Sequence, residues 1–290
     1  MSNSKQLNHM KFKVTNNKSR SIKRGVYLLT ALLLINKSAV FGQKNDTEEW
    51  SYSVGVGMAV VPSYLGDNSY QAVMFPNFTA TYADKFSASL LEGLRYNAIE
   101  FGAWRMGAML KFNIGRFEDG TLPGRIIGEN TSDLTGLGDI DFSLEPGVYI
   151  QFNQGSVVSI FNMRKGVGGH SGLLAEFSTQ YVEVFQVFGK SIQYGVGPMA
   201  RMTNSAYNKT FFGINQAQSQ ESNIGVYRPT SSALSIGLNG SLAIPVSNRV
   251  STSLYFNYSR LGDPIAKSNL VKRFGSRHQM ATGIVFNYSL

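Results

Sequence analysis

From Trp50 to Val60 every even position is aromatic or aliphatic, and every odd position is Ser, Gly or Ala. The same period of two returns at 104–114, where Trp, Met, Ala, Leu, Phe and Ile alternate with a face holding Arg105, Lys111 and Asn113. It returns again at 139–152, 232–244 and 250–258, and at 280–290, the end of the chain. A period of two with one apolar face describes strands whose two sides meet different surroundings. No window of comparable length holds a helical period, so helix content is expected to be low. The alternating runs last about 9–13 residues, whereas strands of water-soluble domains peak near 5–6 and a tilted membrane strand needs about 9–11. Length and alternation together predict an all-β protein, a transmembrane antiparallel up-and-down β-barrel. Its apolar side chains face lipid and its small or polar ones face the lumen.

Turn chemistry sets the topology. The connections 83–85, 153–155, 188–190 and 245–248 are tight, whereas 117–137, 203–231 and 261–277 are long and polar. Membrane barrels of the outer-membrane type keep short turns on the periplasmic side and long loops outside, with an even strand number. Tracing strands inward from both ends meets that parity only if 86–99 holds two short strands, folding at Leu91-Glu92-Gly93. The count is then about twelve. Pro76, Pro146 and Pro198 fall inside predicted strands, where each lacks a ladder donor, and are expected to mark bulges.

Residues 1–42 stand apart from this pattern. Seven basic residues from Lys5 to Arg24 precede an apolar run at 25–35, and small residues follow at Ser38, Ala39 and Gly42. That order predicts a cleaved signal peptide over 1–42, with Met10 offering an alternative start, and a barrel domain over 43–290. The apolar run is shorter than the roughly 20 residues of a spanning helix. The leader carries eight of the 27 Lys and Arg and no acid, so 43–290 holds 19 basic against 18 acidic residues. The formal net charge of +9 for the whole chain therefore argues for no nucleic-acid partner. With no cysteine, disulfides, thiol nucleophiles, thiolate metal sites and a lipid-modified cysteine are all excluded.

Candidate chemistry is sparse. His170-Ser171 invites a hydrolase reading, but neighbours in sequence seldom place a nucleophile on a base oriented by a third group, and the flanking glycines point to a tight loop. His170 and His278 are too few and too far apart to predict a metal site. The run Gly136-Leu-Gly-Asp-Ile-Asp141 lacks the closing Glu and alternating oxygens of a hand-type calcium loop and reads as a turn into a strand. No cofactor is expected. Arg95, Arg105 and Lys111 share the expected lumen face with Asp139, Asp141 and Glu145. Mixed signs in similar number favour a bracing ion-pair network over a selectivity lining. Trp50, Tyr52, Tyr82, Trp104, Phe152, Tyr255, Tyr258 and Tyr288 are expected in interfacial girdles.

Two resemblances follow. Gly283, Phe286 and Tyr288 are similar to the C-terminal barrel-assembly signal of outer-membrane proteins, which implies the barrel-assembly machinery as a partner and outer-membrane lipid as surroundings. More broadly, four stretches in this order resemble the MltA-interacting protein/OmpV (MipA/OmpV) family. They are Gly55-Val-Gly57 with Pro62-Ser-Tyr-Leu-Gly66, then Gly136-Leu-Gly-Asp-Ile-Asp141, Gly168-Gly-His-Ser-Gly172, and Phe211-Phe-Gly-Ile214 with its Gln/Ser-rich continuation. The resemblance implies a non-enzymatic barrel in the cell outer membrane. For some members it implies a scaffold joining a lytic murein transglycosylase to a peptidoglycan synthase. A narrow channel for small polar solutes and a loop-mediated adhesin stand as alternatives.

Overall fold

The alternating runs become strands in the computed structural model, which describes residues 49–128 and 131–290. The expected leader, 1–42, lies outside the described residues. In chain order the elements are β1 (Trp50–Pro62), β2 (Tyr70–Tyr82), β3 (Phe86–Ser89), β4 (Gly93–Phe101), β5 (Trp104–Asn113) and β6 (Arg125–Ile127). Next come β7 (Ser143–Gln154), β8 (Val157–Lys165), β9 (Val167–Gly168), β10 (Leu173–Val187), β11 (Lys190–Thr203), α1 (Ser205–Phe212) and α2 (Gln216–Ser222). The chain ends with β12 (Ala233–Pro245), β13 (Val250–Arg260), α3 (Asn269–Phe274) and β14 (His278–Ser289).

Twelve of these strands (all but the short β6 and β9) pair antiparallel in sequence order, and β14 returns to β1. Val56 stands opposite Phe286 and Ala59 opposite Gly283 across that seam. The sheet is closed. Closure gives each strand two neighbours, which a backbone crossing hydrocarbon requires because no water can satisfy a free edge. The expectation that 86–99 holds two strands is met by β3 and β4, which turn at 90–92 into Gly93, whose φ of +78° a side chain would strain.

β3 has only four residues, too few to cover its neighbour β2. Loop strand β6 lies along the outer half of β2 instead, with Ala72 opposite Ile127. The backbone of Met74 donates to Gly124 O at 2.8 Å beside it. This gap explains Pro76. No bulge occurs at Pro76, Pro146 or Pro198: the β1–β2, β5–β7 and β11–β12 registers run through them unbroken. On its other side each proline lacks a paired strand residue. Pro76 lies beyond the end of β3, Pro146 between the pairings of β8 and β9, and Pro198 where the β10–β11 pairing lapses between Ser178–Met199 and Tyr181–Val196. A residue without an N–H is cheapest where no acceptor waits for it. The shift in the barrel wall falls at Asn97–Ile99 instead.

Outward faces carry the apolar residues. On β1 these are Val54, Val56, Met58 and Val60, and on β14 Met280, Phe286 and Tyr288, all exposed. Rings gather near the short-turn end: Trp50 lies 5.2 Å from Tyr82 and Trp104 4.7 Å from Phe152, centroid to centroid. Tyr255, expected among them, points inward and is buried with Val61, Val73, Phe75, Leu91 and Val285. Its odd number on β13 puts it on the lumen side, opposite the exposed Leu254 and Phe256. Among the described residues no helix is long and apolar enough to cross a membrane. The crossing is made by strands.

The long loops fold into a cap over the outer mouth. Asn204 starts α1 by accepting the Tyr207 N–H, and Asn215 with Gln218 forms a capping box at α2. Phe211 and Phe212 from α1 pack with Leu261, Ile265 and Val271, and Ile214 packs with Tyr64, Leu134 and Leu270. Inward side chains are accordingly buried in the outer half of β1 (Gly57, Ala59, Val61) and half-buried toward the short-turn end (Ser53, Gly55). The lumen is plugged outside and opens toward the inner face.

Candidate functional site

Strand parity brings five ionisable residues inward on neighbouring strands: Lys111 on β5, Glu145 on β7, Arg164 on β8, Glu176 on β10 and Arg201 on β11. Four of them form a chain of ion pairs. Arg164 Nε lies 2.9 Å from Glu145 Oε2, and its Nη1 lies 2.6 Å from Glu176 Oε2. Arg201 Nη2 meets the other oxygen of Glu176 at 2.7 Å. The planar guanidinium of Arg164 thus bridges two carboxylates on either side of its own strand, a geometry that a lysine could not reproduce.

His170, in the turn after β9, closes one end. Its Nδ1 accepts the Gly172 N–H at 3.2 Å, so Nε2 carries the proton and donates to Glu145 Oε1 at 3.1 Å. Asn113 Nδ2 donates to the same oxygen at 2.9 Å. The imidazole edge meets Tyr207 and Phe211 with centroids 5.4 and 5.5 Å away. Ser171 takes no part; Ser143 Oγ accepts the His170 backbone N–H instead. His170 is therefore a brace between barrel wall and cap, and among the described residues no hydroxyl is hydrogen-bonded to its ring.

A cavity of about 190 Å³ lies between this layer and the cap. Its floor is Lys111, Glu145, Arg164 and Arg201; its walls and roof are largely apolar, with Leu65, Leu122, Phe211, Phe212, Leu261 and Ile265. Arg116 also reaches it and donates to Phe211 O at 2.6 Å. Burial pushes the Arg116 guanidinium down to about 10, which leaves it charged at neutral pH. Burial raises the Tyr207 hydroxyl, which stays protonated.

Of the residues that the sequence groups in the lumen, Lys111 and Glu145 meet here in register across β5 and β7. Arg95 lies on the lumen side, bonded to Glu92 at 2.7 Å and 5.6 Å from the Tyr149 ring centroid. Arg105 sits at the short-turn end, 3.0 Å from Glu100 and 3.2 Å from Asp84. Asp139 and Asp141 are exposed in the loop before β7, where Asp139 accepts the Glu118 N–H at 2.7 Å. They are separated from the lumen because β7 begins only at Ser143. Arg164, Glu176 and Arg201 complete the network, and their signal was parity: each alternates with outward Met163, Phe177 or Met202. Gly283 faces inward on β14, while Phe286 and Tyr288 face outward beside Val56 and Val54 of β1.

The family model described as MltA-interacting protein MipA matches residues 54–290. No curated protein matches the chain. Among solved structures, the chain is similar to a loop-deletion mutant of OmpT, an outer-membrane protein of Vibrio cholerae, at 6% identity and a TM-score of 0.33, covering 83% of this chain and 98% of that one. It is similar to the beta domain of the Bordetella autotransporter BrkA at 8% identity and a TM-score of 0.38, with coverages of 83% and 99%. A porin follows at 8% identity and a TM-score of 0.33, with coverages of 83% and 100%. Likenesses of this depth carry no argument about function, and barrel closure rests on the strand register itself.

Proposed function

The chain belongs to the MipA family of outer-membrane barrels, and on that footing we propose that it is a non-enzymatic scaffold for murein-remodelling enzymes. Its partner would be a lytic transglycosylase, held at the periplasmic face, with a peptidoglycan synthase as the second member of the assembly. The observation that carries this reading is the family match over 54–290, whose description is that of a protein interacting with a murein transglycosylase.

The short-turn end supports it. Phe188 at the β10–β11 turn is 99% exposed, and Val246 at the β12–β13 turn is exposed beside it. Lys190 Nζ ties the two turns together by donating to Val246 O at 2.9 Å. An aromatic presented whole to water beside a second apolar residue is the kind of anchor that a partner pocket takes up. The packed outer lumen weighs against the channel reading, because a solute path needs a continuous wet bore.

The test is photo-crosslinking from position 188 in the full-length chain, inserted in its own outer membrane. Recovery of a murein transglycosylase, lost when Val246 is changed to Asn, supports the scaffold. Crosslinks to lipid alone, with murein-enzyme association unchanged on deleting the chain, would sink it.

A further inference from the structure

Lys111 is only 5% exposed, and its side chain lines the cavity. Among the described residues its ammonium has no hydrogen bond and no ion pair. The carboxylates around it are taken. Glu145, directly across in register, is held by Arg164, His170 and Asn113. Glu176 is shared by Arg164 and Arg201, and Glu92 gives Oε2 to Arg95 while its Oε1 has no hydrogen-bond partner among the described residues. In the layer under the cavity four cations (Lys111, Arg95, Arg164 and Arg201) therefore face three carboxylates (Glu92, Glu145 and Glu176). The enclosure carries an excess of positive charge. A buried ammonium without a counter-ion is costly, and a site keeps one where a ligand supplies the missing charge.

The walls narrow the class of that ligand. They are mostly apolar, so a strongly hydrated dianion such as free phosphate would lose more solvation than this floor returns. A carboxylate with an apolar body matches both surfaces. By volume, about 190 Å³ exceeds the ~150 Å³ of an engineered apolar cavity that takes up benzene.

We propose that this cavity binds a small monocarboxylate with an aromatic or short aliphatic body. Its carboxylate pairs with the Lys111 ammonium beside Arg201, and its body lies against Leu122, Phe211 and Leu261. Arg201 binds Glu176 through Nε and Nη2, which leaves Nη1 to donate elsewhere. The site is independent of the scaffold reading, because it lies in the outer half of the lumen, away from the periplasmic turns.

The test uses the refolded barrel in detergent micelles and two fluorinated probes read by fluorine NMR, 4-fluorobenzoate and its neutral counterpart 4-fluorobenzamide. Wild type is expected to bind the carboxylate saturably at one site, roughly tenfold or more tighter than the amide. Lys111→Met is expected to bring the two probes to parity while raising the unfolding midpoint, because it removes a buried unpaired charge; a merely structural lysine would lower that midpoint. Equal affinity of wild type for acid and amide, or no saturable binding of the acid, overturns the proposal. Should Lys111→Met fail to insert, the acid-over-amide preference of wild type decides alone, and Lys111→Arg is expected to retain it.

Discussion

Phe75 lays its ring over the backbone of Gly57 inside the barrel: the two are cross-strand partners, and a methyl group on Gly57 would stand 2.3 Å from the ring. Glycine here makes room for an aromatic that fills the lumen. Gly57→Ala is therefore expected to destabilise the barrel by about 1–3 kcal/mol, the usual range for overpacking a filled core. Urea unfolding in micelles measures it. An unchanged midpoint would mean that Phe75 has free space to move into.

Arg164→Met strips two buried carboxylates of their shared partner at once. Glu176 keeps Arg201, and Glu145 keeps His170 and Asn113. The loss is therefore expected at or below about 3–5 kcal/mol, the cost of a buried charge left alone, whereas the pair itself need not add net stability. The loss should appear in the same unfolding assay. It should also be insensitive to added salt, since ions screen buried pairs poorly. A loss below about 1 kcal/mol, the range of an exposed pair, would show the network to be wet.

Asp67, in the first external loop, is 0% exposed. Its Oδ1 accepts the Ser69 N–H at 3.1 Å, while Oδ2 has no hydrogen-bond partner among the described residues. Burial raises its carboxyl above the ordinary range, against the lowering effect of the Ser69 and Asn68 amides. The folded state then keeps a proton that the unfolded state has lost. Stability falls as pH rises from the ordinary aspartate range through the raised value, and is level above it. Unfolding midpoints taken between about pH 4 and about pH 7 should show this step in wild type and lose it in Asp67→Asn. A midpoint rising with pH over that window, and flattened by the substitution, would mean that folding lowers the Asp67 carboxyl instead.

At the β10–β11 turn, Phe188 and Gly189 both have positive φ, +49° and +73°. Two-residue hairpins of this kind favour Asn-Gly, and a bulky first residue is held there at a cost. Phe188→Asn is expected to stabilise the barrel by about 0.5–1 kcal/mol while weakening capture of the periplasmic partner. Stability and binding moving together would instead make Phe188 an ordinary structural residue.

Much of this architecture was legible because membrane strands obey one simple rule. The alternation at 50–60 and 280–290 already named which residues of β1 and β14 face lipid. The parity requirement divided 86–99 into β3 and β4. Tyr255 escaped because the girdle reading followed residue type, whereas its odd position on β13 turns it inward. The strand prolines misled because a ladder gap can come from a missing neighbour as well as from a bulge, and neighbours are not written in the local sequence. Helices α1, α2 and α3 have eight, seven and six residues, too short for a periodic signal. Asp139 and Asp141 continue the alternation of β7 beyond its first residue, so pattern alone could not end the strand at Ser143. That Lys111 stands unpaired beside Glu145 depends on Arg164 reaching that carboxylate from the next strand, a competition that only the folded geometry decides.

The barrel is closed, and its outer lumen is filled by its own side chains and loops. Planar-bilayer recording of the refolded chain, from a preparation that shows heat-modifiable gel migration, tests it most directly. A flat baseline under applied voltage is expected of the filled barrel. Stable ohmic steps from the folded protein would contradict it and restore the channel.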